Sequence, residues 1–214
     1  MSMSQVWRDL DRPAIGFDDS SELVQRAVAV QIINELPAQI TLQETVWAPR
    51  DQDFAAATGR PAISTTIKPV LPSNVYLGHR LSLQDAPQDA LPAITVRCLN
   101  TAPTEDRNQL DQYDSNDLTL IVEVWVSTGP YKDPVANQAD SEEIDRQLHR
   151  MAAAVRGCIV QDRSFGNTQM GTSRPPRSVA SLPFVRKATD SNTGPKFLVQ
   201  AMELTYTITT LSYG

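Results

Sequence analysis

The chain predicts an α+β fold: a central, mostly antiparallel sheet of about four core strands packed by two helices, with a β-rich insertion over residues 40–90. Three observations carry this. Leu118, Leu120, Val122, Val124 and Val126 alternate with other residues, as a strand with one apolar face requires. A helical pattern follows over residues 140–157, with Ile144, Leu148, Met151, Ala152 and Val155 as an apolar stripe. After it come two more strand patterns, Ser178–Lys187 and Lys196–Leu211.

Taken in order, residues 1–17 carry Trp7 and Phe17 among charges and read as an arm docking on its own domain or a neighbour. Asp19 with Glu22 three residues later is a capping-box pattern. Leu23, Ala27 and Val30, with Val24, Val28 and Ile32 beside them, continue it as a helix that Pro37 is expected to stop. Ile40–Trp47 alternates as a strand, residues 48–60 read as loop, and Ala62–Val70 is rich in β-branched residues. Asn74–Leu83 adds a short strand. These segments, with a polar loop over residues 84–90, make up the insertion.

Ile94, Val96 and Cys98 alternate with Thr95 and Arg97 as a half-buried strand. Residues 100–117 read as an acidic, solvated loop. In the strand that follows, Ile121, Glu123 and Trp125 form the second face, where Trp125 meets the insertion or another subunit. The later helix opens at Asp140 with Glu143 at the box position, turns Glu142, Glu143, Asp145, Arg146, Gln147 and Arg150 to water, and is closed by Gly157. Pro183 bends the next strand. In Lys196–Leu211, Leu198, Met202, Leu204, Tyr206 and Ile208 share one face; Val199, Ala201, Glu203 and Thr205 share the other. That strand is long enough that it must bend or run beyond its parent sheet.

A chain of 214 residues fits one domain with an insertion. Its hydrophobic content of 41% matches a globular protein, and its formal charge of −6 argues against a nucleic-acid-binding surface. No apolar run reaches the length of a membrane span, and the first residues lack a signal core. Cys98 and Cys158 read as buried free thiols, with a disulfide as the lesser reading.

The chemistry-bearing residues are sparse. His79 and His149 have no ligand-spaced neighbours, so neither a metal nor a cofactor is expected. No phosphate-binding, dinucleotide or hydrolase motif occurs. Glu123 and Glu203 could form a carboxylate pair, although interface or lumen charges are the commoner use of such residues. Arg163, Arg174, Arg177 and Arg186 are too dispersed to specify a phosphate site and suit a partner-protein contact or plain solvation. The expectation is therefore not an enzyme, with a dispersed, motif-free active site as the alternative of another class.

Residues 18–36 and 91–211 together give helix, strand, strand, helix, strand, strand. The stretches LPAITV, LTLIVEVWV, EEIDRQLHRMAAAVRG, SLPFVRK and KFLVQAMELTYTITT carry that order. In order and texture the chain resembles the tail terminator proteins of long-tailed bacteriophages. The resemblance implies a virion protein, assembled in the host cytoplasm, that forms a homo-hexameric ring capping the tail tube. Its partners would be the tail tube protein and the head connector or neck protein, with a sheath protein added in a contractile tail. DNA would pass through the ring without specific binding. Candidate lumen or interface residues are Asp111, Asp114, Asp117, Trp125, Glu203 and Tyr206; for the three aspartates a solvated outer loop competes. A neck or head–tail completion protein and a tail tube protein are the neighbouring readings.

Overall fold

The computed structural model describes residues 19–60, 64–78, 90–100, 113–127, 137–165, 170–172, 176, 178–187 and 197–213. The arm of residues 1–17 and Asp111 lie outside them. Two helices, α1 (Asp19–Thr58) and α2 (Asn137–Gln161), pack on one face of a six-stranded sheet. The strands are β1 (Val75–Leu77), β2 (Ala93–Asn100), β3 (Tyr113–Ser127), β4 (Met170–Thr172), β5 (Ser178–Lys187) and β6 (Phe197–Tyr213). They run in the order β1-β2-β3-β6-β4, with β5 also paired to β6. All pairings are antiparallel except that of β1 with β2. The α+β expectation holds, with more strands than expected.

The core follows from the alternation. Leu118, Leu120, Val122, Val124 and Val126 of β3 face the helices, beside Ile94, Val96 and Cys98 of β2 and Met202, Leu204, Tyr206 and Ile208 of β6. From above, α1 contributes Val24, Ala27, Val28, Ile32 and Leu36, and α2 contributes Ile144, Leu148, Met151, Val155 and Cys158. Cys98 and Cys158 are both free and buried.

The insertion is corrected most. Pro37 does not stop the first helix: α1 runs for 40 residues with Pro37 and Pro49 inside it, so the expected strand Ile40–Trp47 and the loop 48–60 are helical. A proline inside a helix removes one backbone donor and clashes with the carbonyl four residues back, which bends a helix without necessarily ending it. Threonine hydroxyls bond back along the helix: Thr41 Oγ1 donates to the Pro37 carbonyl at 3.1 Å and Thr58 Oγ1 to that of Phe54 at 2.7 Å. Gly59 closes the helix at φ 66°, the left-handed geometry a glycine adopts without strain. Among the described residues Ser64–Val70 belongs to no helix or strand, and Val75–Leu77 forms β1, paired in parallel with β2; residues 79–83 lie outside the described residues.

Three other boundaries move. Residues 113–117, expected as loop, open β3, which pairs with β6 from Tyr113↔Tyr213 to Ser127↔Val199. Fifteen residues in register make a ribbon roughly 50 Å long. The end of β6 therefore stays in its own sheet, flanked by β3 and β4. The predicted bend at Pro183 coincides with a register shift between Leu182 and Val185. Finally, α2 starts before Asp140 and passes through Gly157 to Gln161. Gly157 is where the helices approach, not a stop: a Cβ there would stand 2.2 Å from Gln39 Oε1 of α1.

Candidate functional site

The face of the sheet away from the helices holds a connected polar cluster. Strand register assembles it. Thr95 of β2, Glu123 of β3 and Glu203 of β6 lie in one row across three strands. Arg97, Ile121 and Thr205 form the next row, and Ala93, Trp125 and Ala201 the row on the other side. Glu123 is 2% exposed. Its Oε2 accepts from Thr95 Oγ1 at 2.7 Å and from Trp125 Nε1 at 3.3 Å. Arg97 Nη2 stands between the two carboxylates, 3.5 Å from Glu123 Oε1 and 3.2 Å from Glu203 Oε2. Thr205 Oγ1 donates to Glu203 Oε1 at 3.4 Å.

Like charges directly opposite on neighbouring strands repel, so a Glu123–Glu203 pair needs a cation between them. Arg97 supplies it from the adjacent row. These contacts place a donor on both oxygens of each carboxylate, a geometry that fixes the acids in position. Arg97 Nε is buried without a hydrogen-bond partner among the described residues. Trp125 also belongs to a small apolar cluster with Leu91, Ala93, Val199 and Ala201, packed by Tyr76 and Ala90. The second face is thus apolar at one end and charged at the other.

Of the sequence candidates, Trp125 and Glu203 lie in adjacent rows here, linked through Glu123, which stands in the row of Glu203 and accepts from Trp125. Tyr206 does not join them. It sits on the helix face, fully buried in the core, and burial raises its pKa above the ordinary tyrosine value. Its position on β6 differs in parity from Glu203, which decides the face. Asp114 and Asp117 lie on β3, opposite Ser212 and Thr209, so they are strand residues rather than loop residues.

A second ionic site went unseen in the sequence. Arg150 of α2, expected to face water, is buried and bonds Asp51 of α1 through Nη2–Oδ1 at 2.6 Å. The Trp47 ring lies 4.9 Å from the Arg150 guanidinium carbon. Asp51 Oδ2 is buried without a partner among the described residues. Arg146, one turn away, has its pKa lowered, first by burial and then by the Arg150 charge. The helical spacing of Trp47, Asp51 and their neighbours could have shown this side, had residues 40–58 been read as helix.

An apolar cavity of about 200 Å³ lies beside Pro37, lined by Ile33, Leu36, Pro37, Ile40, Pro69, Val70, Pro72 and Val75. Among the described residues no group of His, Cys, Asp and Glu is arranged to hold a metal ion, and no helix is long and apolar enough to cross a membrane. No protein-family model matches the chain, and no curated protein matches it at a significant level.

Proposed function

We propose that the chain is a structural virion protein, a phage tail terminator whose six-copy ring caps the tail tube, stops its growth and presents a surface to the head connector. The observation that carries this reading is the β3–β6 ribbon. Among the described residues the β2 pairing ends at Asn100↔Leu118, while β3 continues to Tyr113 in register with β6. Among the described residues, the β3 edge over Tyr113–Asp117 carries no strand. An open strand edge is a template for pairing with another chain. A ring needs head-to-tail contacts of this kind that close on themselves.

Three further features support it. The one-sided layering of helices on the sheet agrees with the element order behind the resemblance. Leu42, Val46 and Phe54 of α1 expose large apolar side chains of a sort that subunit contacts bury. The formal charge of −6 per chain suits a channel that DNA traverses without sticking, since phosphate contacts require cations. In this reading the Glu123–Arg97–Glu203 cluster fixes the sheet rather than performing a reaction.

Light scattering and an image of the purified protein test the proposal. A discrete ring of six copies that halts tube polymerisation is expected. Filaments would replace it with a tail tube protein. A strict monomer at high concentration would overturn it.

A further inference from the structure

The two parts of α1 are held by different forces. Before Pro37, Val24, Ala27, Val28, Ile32 and Leu36 are buried in the core. From Thr41 to Thr58, Asp51 is the one buried residue. Among the described residues, this part is attached to the rest of the chain through polar groups. Glu44 Oε1 accepts from Ile67 N at 2.8 Å, Asp51 pairs with Arg150, the Trp47 ring faces Arg150, and Arg60 pairs with Glu142 at 3.1 Å. The last of these is exposed and contributes little.

We propose that residues 41–60 form a hinged arm that bends at Pro37 and is latched to α2 by the Asp51–Arg150 pair. The bend is where a hinge is cheapest, because Pro37 has no N–H to bond the Ile33 carbonyl. It also opens onto the apolar cavity, so the helix has room to move there. Releasing the arm uncovers no fully buried apolar side chain, whereas releasing the first part would open the core. The latch holds because an aspartate left buried without its arginine is strongly disfavoured, so pair and arm part together. This rests on contacts within the single chain; because Leu42, Val46 and Phe54 lie on the arm, the test is made at a concentration where the chain is unassembled.

Hydrogen exchange of the full chain, read by mass spectrometry, tests the arm, with light scattering confirming that all variants share one assembly state. Peptides from 41–58 should exchange about tenfold or more faster than those from 24–36. Asp51→Asn should speed the first set about tenfold again and leave the second unchanged. Should that variant not fold, Trp47→Leu applies the same test with a smaller effect. Equal exchange of both parts in the unaltered protein would overturn the proposal. So would an arm that no variant affects, or an equal loss of protection in both parts.

Discussion

The two faces of the sheet are built by opposite means. On the helix face, three strands present aliphatic side chains, with Tyr206 among them, and two helices cover them. Many interchangeable contacts hold that face, so its identity depends on volume and pattern. On the other face, Thr95, Arg97, Glu123, Trp125 and Glu203 interact one by one through defined atoms. There a single atom matters, because a buried polar group left unpaired costs more than its bond contributed. The same three strands thus carry a tolerant face and an exacting one.

The comparison can be broken by substitution. Leu204→Ala on the helix face should cost the most, about 2–5 kcal/mol, as the residue is fully buried. Urea unfolding measures it, and a cost below that range would mean the core collapses around the gap. Glu123→Gln should cost less, about 1–3 kcal/mol, since it keeps the shape but removes the charge that Arg97 faces. Combining it with Arg97→Met should give a smaller loss than the sum of the two changes. Strict additivity would show that the polar face is not a coupled network.

The cysteines give a prediction in pH. Burial pushes the Cys98 and Cys158 thiols from the ordinary 9.0 up to about 12. A pKa raised by folding contributes stability that is complete below the unfolded value and is lost as pH rises through the folded one. Stability should therefore decline between about 9 and 12, and the decline should shrink in a Cys98→Ala, Cys158→Ala double variant. Alkylation of both thiols at neutral pH should wait for unfolding.

Gly157→Ala should have the smallest effect, within about 1 kcal/mol, because better helix propensity offsets the shift forced on Gln39. Gln39 would give up its 2.8 Å bond to Gln161. A large loss in thermal unfolding would instead mean that the helix contact cannot yield.

The alternating strands were legible because an apolar face and a period of two dictate each other. The parity that separates Tyr206 from Glu203 was legible as well, yet their shared role was not, since opposite parity puts them on opposite faces. Residues 40–58 misled for a physical reason. Their alternating β-branched residues imitate a strand, and the side turned to α2 runs Ile40, Glu44, Trp47 and Asp51, which is not an apolar stripe. Strand propensity is a matter of surroundings, and here the surroundings are a helix bearing Arg150.

Local pattern alone was enough to specify the strand β3, the stripe of α2, the bent β5 and the α+β class, because each depends on burying one periodic face. Which charges meet could not be specified that way. Asp51 and Arg150 stand 99 positions apart, and Arg97 and Glu203 stand 106 apart. Only strand register and helix packing bring them within bonding distance, and only there does desolvation make their pairing decisive.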